Sequence, residues 1–515
     1  MKNITLLLST LVFSLNVMAT TYHVKNGGSD SNNGLNVATA FLTLQKASNT
    51  VKAGDSVLVY NGNYAGFNHN GKASGTAGNP IVFKANGTNV WITQGSNIGD
   101  GINIENADWI EIHGFKVKVP NNTSITGGEE GIRAVYADHI TIKNNFCDSC
   151  FRGILTGYSD YITIENNTCT RSYGEHGIYV SNNSDFVALR FNSCSFNKAT
   201  GIQINPDLSS GAPGYSKNIL VSNNIAFENK GGAGFNFQGI DSALIMNNLI
   251  YNNHNASGIT LFHGDASVGC SNVRIYNNTL IVPSDGRCGI HIIDDASNID
   301  IKNNIIINLH AWKGSIVLQK GSYSQTNIRS NYNVVSNKFC DIDDACSKPL
   351  TTWQGLGYDL NSILVPANLT SLFVNPTLND YHIIKGSVAV DAGTSTVSAD
   401  VTKDLDLKSR PINTKYDIGC YEYSGTTNIQ APRANYELKI YPNPTSSEVT
   451  IQTDIRLNNA ILVVTDCLGQ TFAQIRDINE QTIKFNGHNL PRGIYFVRLT
   501  EKGKTLATKK LIIKD

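Results

Sequence analysis

The residues best suited to chemistry gather in one short stretch, Gly174-Glu175-His176-Gly177-Ile178-Tyr179-Val180-Ser181. An imidazole titrates nearest to neutral pH, which makes His176 the candidate base or shared acid/base, and the phenol of Tyr179 can protonate a departing oxygen. Upstream, Arg152 and Arg133 are suited to neutralising a carboxylate whose α-carbon becomes carbanionic. Glu175, Gln203, Asn205, Asp207, Asn236, Gln238 and His263 add carboxylates, amides and a second imidazole fit to hold a hydroxyl-rich ligand. These residues run from Arg133 to His263, so they form one site only if a repeating element brings them into register.

Such an element is written in the asparagines, which number 62 of 515 residues. Asn-Asn recurs at 144–145, 166–167, 223–224, 247–248, 277–278 and 303–304, with Phe191-Asn192 once in the same place. The second positions lie 22, 25, 32, 24, 30 and 26 residues apart. A strand-like run such as Ile140-Thr141-Ile142 or Ile162-Thr163-Ile164 precedes each pair. A second run, opened by Gly, follows it at Gly153, Gly177, Gly201, Gly234, Gly258 and Gly289, with Gly101 and Gly131 upstream. Short strands at this period, with a fixed Asn at one turn, predict an all-β parallel β-helix whose stacked asparagines bond along the axis. A leucine-rich horseshoe has a similar period but needs a leucine consensus and a helix in each repeat, and both are missing.

The alternation of the Gly-opened strands then places Arg133, Tyr179, Gln203 and Asn236 in one outward column and Asn205 and Gln238 in the next. Glu130, Arg152 and His176 sit just before the glycines. The insertions Pro206 to Ser216 and Gly264 to Ser271 lengthen coils on the same side and predict a groove there. Cys147, Cys169 and Cys194 share one position of the repeat and are expected to stack inward, while Cys340 and Cys346 bracket a short loop suited to a disulfide. Phe41, Leu44, Ala47 and Val51 stand at helical spacing, as an N-terminal plug would.

Forty-one basic residues balance forty-one acidic ones, which argues against a nucleic-acid binder, and only 16% of the chain is charged, too little for a coiled coil. The zero balance is expected to hide a local positive surplus around Arg133, Arg152 and His176. Residues 1–19 read as a signal peptide, with Lys2, an apolar run from Ile4 to Val17, and Ala19. The remaining divisions are 20–335 for the β-helix with its N-terminal cap, 336–424 for its C-terminal part, 425–435 for a linker and 436–515 for a small β-sandwich.

Three motifs in that last segment, Tyr441-Pro442-Asn443-Pro444-Thr445, Gly493-Ile494-Tyr495-Phe496-Val497-Arg498-Leu499 and Lys509-Lys510-Leu511-Ile512-Ile513-Lys514, resemble the C-terminal sorting domain of the type IX secretion system of Bacteroidetes. The resemblance implies passage through that machinery and a secreted or cell-surface protein attached at the outer membrane or released. Tyr22-His23-Val24-Lys25-Asn26-Gly27-Gly28-Ser29-Asp30, Thr43-Leu44-Gln45-Lys46-Ala47, Ala53-Gly54-Asp55 and Asn61-Gly62-Asn63-Tyr64 resemble the start of secreted right-handed parallel β-helix proteins of the pectate-lyase-like superfamily. Over Tyr22 to Val335 this implies a right-handed solenoid and a carbohydrate-active protein.

With the residues above, the expected activity is a polysaccharide lyase cleaving an extended acidic, uronate-containing polysaccharide by β-elimination, acting as a monomer. A glycoside hydrolase or uronate epimerase on the same scaffold, or a non-catalytic glycan-binding surface protein, are the alternatives. Several relatives use a Lys base and a calcium ion. No Lys stands in the outward column here, and the carboxylates available for calcium are Asp341, Asp343 and Asp344, or Asp294 and Asp295.

Overall fold

The computed structural model describes residues 19–119, 129–211, 213–319, 325–341, 346–425, 438–453, 456–466, 470–488, 490–501 and 504–514. Except at their ends, the expected signal peptide and linker lie outside these residues, as do Asp343 and Asp344.

The repeat folds as a parallel β-helix. A coil supplies three short strands, as in Ile154–Gly157, Thr163–Glu165 and Thr168–Thr170. The Gly-opened strands stack into an eleven-stranded parallel sheet running from Phe67–Asn70 to Phe339–Cys340, and the other strands of each coil join a 22-stranded sheet. Register is strict. Ile132, Ile154, Ile178, Ile202, Phe235, Ile259, Ile290 and Ile316 lie directly over one another, and all are buried. Each such side chain withdrawn from water contributes about 1.5–3 kcal/mol, so the column fixes which residues of the same strands must face out. The opening glycines are required by close approach: a Cβ on Gly131 would lie 2.4 Å from the Gly153 carbonyl oxygen, and one on Gly153 2.5 Å from that of Gly177.

The paired asparagines divide their work. The second of each pair forms a buried ladder. Asn167 Oδ1 accepts the backbone N–H of Asn145 at 2.9 Å and its side-chain amide at 3.0 Å, while Asn167 Nδ2 donates to Asn192 Oδ1 and to the Ile142 carbonyl. The ladder continues through Asn224, Asn248, Asn278 and Asn304 to Asn333. The first Asn takes the left-handed backbone conformation, with φ between 53° and 59° at Asn144, Asn166, Asn223, Asn247, Asn277 and Asn303, which Asn tolerates better than most residues. Further ladders not expected from the pairs accompany this one, among them Asn197–Asn229–Asn253 and Ser159–Ser184–Ser216.

Cys147, Cys169 and Cys194 stack in register as free, buried thiols, and Cys340 is bonded to Cys346. At the N-terminal end Phe41, Leu44, Ala47 and Val51 are all buried, but the helix covers only Leu44–Ser48. The Asp30 carboxylate takes the N–H groups of Leu42 and Thr43, which holds the chain non-helical up to the Thr43 cap. At the other end Trp353, on the helix Leu350–Gly355, stacks on Phe339 with centroids 5.0 Å apart, and its indole N–H donates to Asp359.

Residues 388–422 return along the solenoid. Asn223 and Asn247 donate to the carbonyls of Asp404 and Lys403, Asn277 to that of Asp417, and Asn303 to that of Thr394. Val397, Val401 and Tyr416 cover Leu244, Met246 and Tyr276, and Arg410 is paired with Glu422 at 2.7 Å with both side chains fully buried. The C-terminal unit has a separate core between a three-stranded and a four-stranded antiparallel sheet, formed by strands from Leu438–Tyr441 to Lys504–Ile513.

Candidate functional site

The eleven-stranded sheet carries Asn103, Arg133, Leu155, Tyr179, Gln203, Asn236, Thr260 and His291 as one outward column. On its flank, one residue before each Gly, stand Asp100, Glu130, Arg152, His176 and Thr200. Arg152 is the centre of this group. Its Nη1 donates to Glu130 Oε1 at 2.6 Å, while Nε and Nη2 both reach Glu175 Oε2 at 2.7 Å. Its guanidinium carbon lies 5.3 Å from the centre of the Tyr179 ring, and the His176 ring lies 5.1 Å from that of Tyr179.

Burial sets the protonation states. The pKa of His176 is pushed down to about 4 by burial, with Glu175 and Arg152 acting in opposite directions. The ring is therefore neutral near pH 7. Its Nδ1 accepts the Thr200 N–H at 3.2 Å, so the proton sits on Nε2, which faces Glu175 Oε2 at 3.6 Å. In that tautomer His176 presents a donor toward Glu175. Burial raises the pKa of Tyr179, with Arg152 and a hydrogen bond from Asn205 opposing the rise. Asp100 is raised by burial to about 7, and Glu130 is raised for the same reason.

The positive surplus expected here is absent because every cation is matched. Arg152 is shared by Glu130 and Glu175, His176 is neutral, and Arg133 bonds back toward the preceding coil, to Asn103 and Glu105 at 2.7 Å. Arg133 is thus turned away from the Arg152–His176–Tyr179 group. Two of the wall's amides are tied to each other, Asn236 donating to Gln203 at 2.8 Å. The two insertions meet on this side: Leu208 N–H donates to the Asp265 carbonyl, Ser267 donates to the Pro213 carbonyl, and Asp207 caps the short 3-10 turn Leu208–Ser210. Gln238 accepts the Asp265 N–H, Asn205 donates to the Asp265 carboxylate at 3.3 Å, and His263 meets Asp295 at 3.1 Å.

Asp100 was not singled out in the sequence, although it occupies the position before Gly101 that Glu130, Arg152 and His176 occupy before theirs. Asp265 lies in an insertion, where the repeat gives no register to read. Among the described residues no group of three or more His, Cys, Asp or Glu side chains could hold a metal ion. Of the carboxylates considered for calcium, Asp341 is paired with Lys348 and Asp295 with His263.

Residues 439–514 match the family described as Secretion system C-terminal sorting domain, and residues 48–212 match Periplasmic copper-binding protein (NosD). The second match spans about a third of the chain, and among the described residues there no three His, Cys, Asp or Glu side chains lie together as a metal site. The thiols of Cys150 and Cys169 are fully buried and pushed well above their usual pKa by that burial, while His69 is buried and bonded to Ser48 and the Ala73 carbonyl.

No curated protein matches the chain. Solved structures similar to it include a rhamnogalacturonan lyase (18% identity, 61% of this chain and 87% of that one, TM-score 0.37). A pectate lyase is similar at 16% identity over 78% and 96% of the two chains, with a TM-score of 0.37. A mannuronan C-5 epimerase A-module of Azotobacter vinelandii is similar at 15% identity over 61% and 90%, with a TM-score of 0.38. Polysaccharide lyases, epimerases and hydrolases are thus all found among β-helix neighbours, and likeness at this level is likeness of scaffold only. No helix among the described residues is long and apolar enough to cross a membrane. The chain joins a parallel β-helix to a type IX secretion C-terminal sorting domain, and it is a secreted or cell-surface protein.

Proposed function

We propose that the β-helix is a polysaccharide lyase acting on a uronate-containing glycan. One observation carries this reading: the Glu175 carboxylate is gripped by Arg152 and faces the Nε2–H of His176, beside Tyr179, as the carboxylate of a bound uronate would be. Glu130 is almost fully buried whereas Glu175 is more than a third exposed, so Glu175 is the partner a substrate can displace. With a uronate in its place, Arg152 neutralises the carboxylate and the Nε2–H of His176 donates to it as negative charge spreads onto it from C5.

Tyr179, as phenolate, takes the C5 proton. The C4–C5 double bond forms as the C4–oxygen bond breaks, and the Tyr179 hydroxyl returns the proton to the departing oxygen. Arg152 favours the phenolate against the burial that disfavours it. A hydrolase reading is weaker, because Glu130 and Glu175 are both paired with one arginine.

The test is absorbance of unsaturated uronate on incubation with pectate, alginate and glycosaminoglycans. Tyr179→Phe is expected to lose on the order of 10²–10⁴-fold in rate, and Glu175→Gln to lower KM. Reducing ends without new absorbance would indicate hydrolysis. Binding without any product would make the groove a recognition surface.

A further inference from the structure

Away from the Arg152 group, the turns leading from the eleven-stranded sheet to the next strand repeat a pattern: Asn106-Ala107-Asp108-Trp109, Tyr136-Ala137-Asp138-His139, Tyr158-Ser159-Asp160-Tyr161 and Asn182-Asn183-Ser184-Asp185-Phe186. Their rings stack from coil to coil. Trp109 lies on His139 at 3.8 Å, His139 on Tyr161 at 4.4 Å and Tyr161 on Phe186 at 4.7 Å, all within 10° of parallel. Tyr136 lies on Tyr158 at 4.6 Å in a second column. Tyr136, Tyr161 and Phe186 are 51%, 47% and 45% exposed. Between the columns runs a line of carboxylates, in which Asp108, Asp138 and Asp160 each accept the backbone N–H of the next Asp at 2.8–2.9 Å, and Asp185 accepts that of Lys217.

The solenoid does not need these rings. All six hold φ between 49° and 58°, a conformation that costs a bulky residue about 1–3 kcal/mol. Later coils fill the position of Phe186 with Asn218, Ser242, Asn272, Asn298 and Asn327 at the same φ, and Asn accepts that conformation readily. Six aromatics, three of them exposed and three half-buried, confined to four consecutive coils point instead to a ligand.

The surface also limits what that ligand is. The carboxylate line disfavours a polyanion, and so sets this face apart from the uronate groove. The ring faces are covered by one another, which leaves their edges outward, and the Tyr158 hydroxyl donates to the Ser210 carbonyl of the 206–216 insertion. Ring edges carry partial positive charge and are poor seats for a cation. Three coil steps make the strip about 14 Å long, on the order of 200 Å² in area, well short of the roughly 800 Å² per partner of a stable protein interface. A chain of neutral sugars, with apolar C–H patches that pack beside the ring edges and hydroxyls that donate to the carboxylates, fits this strip best. We infer that the turns 106–109, 136–139, 158–161 and 182–186 form a non-catalytic binding strip for a neutral polysaccharide, separate from the groove at Arg152.

The test is native affinity electrophoresis of the full chain in gels containing hydroxyethylcellulose, galactomannan or pectate. The Tyr136→Asn/Tyr161→Asn/Phe186→Asn variant is expected to bind the neutral polymers at least ten times more weakly. Its melting temperature should not fall, and its action on uronates should be unchanged. Asp138→Asn, which keeps the backbone acceptor and removes one charge, is expected to hold neutral polymer within twofold. The inference fails if no neutral polymer retards the wild type or if the triple variant is retarded equally. It fails also if only polylysine binds and Asp138→Asn abolishes that binding, which would mark a surface for basic protein. Uronate turnover in the same preparations reports separately on the lyase reading.

Discussion

From Gly101 to Asn205 the outward positions of the solenoid carry charges, phenols and stacked rings, whereas from Ser216 to Asn304 one face lies beneath residues 394–419. Two of the inner columns continue across this boundary. Isoleucines and the Asn ladder run through both regions with the same register and the same bonds. The interior of a parallel β-helix therefore constrains its outer surface very little, and one repeat can present a cluster of Arg, Glu, His and Tyr side chains in one region and a docking edge for its own chain in another.

Four measurements would break or sharpen this contrast. The largest expected effect is at the return segment. Arg410→Ala leaves Glu422 buried without its partner and should cost about 3–5 kcal/mol, read as a fall in unfolding free energy in urea. If it costs less than 1 kcal/mol, residues 388–422 only decorate the solenoid.

The second effect belongs to the chemical half and depends on pH. The carboxyl of Asp100 is raised by burial to about 7. An acid raised in the folded state contributes stability that is whole below its unfolded pKa near 4 and is lost as pH rises toward 7. Stability should therefore fall over that window by on the order of 3–4 kcal/mol, and Asp100→Asn should flatten the profile. An unchanged slope in that variant would remove Asp100 as the cause.

The third compares the two asparagines of a pair. Asn224→Ala breaks the buried ladder and should cost about 2–3 kcal/mol. Asn223→Gly keeps the left-handed turn but loses the bond to Asp404, for about 1 kcal/mol. Asn166→Gly, in the uncovered half, should stay within about 0.5 kcal/mol. Equal costs at 166 and 223 would mean that the return segment gains nothing from the first asparagines.

The smallest effect in free energy is kinetic. His176 stays neutral down to about pH 4, so uronate cleavage should show no acid limb between pH 5 and 7 and should rise on the alkaline side as Tyr179 ionises. A limb near pH 6.5, lost in His176→Gln, would return the role of base to the imidazole.

Much of this was legible in the chain because a repeat converts sequence spacing into spatial register. The Asn pairs, the opening glycines and the alternating isoleucines specify which residues stack, which face inward and which columns face out. His176 and Tyr179 on one coil with Arg152 beside them follow from that arithmetic, as does the cysteine stack. The sorting domain was legible for another reason, its three separated motifs.

What register could not supply is the direction in which a long side chain turns and what it meets there. Arg133 and Arg152 look alike in the sequence, yet one bonds back to Glu105 and the other bridges Glu130 and Glu175, because a flexible guanidinium takes whichever carboxylate lies within reach. The His176 tautomer depends on a backbone N–H of the next coil. The cover of residues 394–419 over the first asparagines joins positions more than 90 residues apart with no periodicity to announce it. The sequence alone determined the coil, its register and its export signal; tertiary structure decided which charges are already spoken for, and that is set by distances between side chains rather than by their order along the chain.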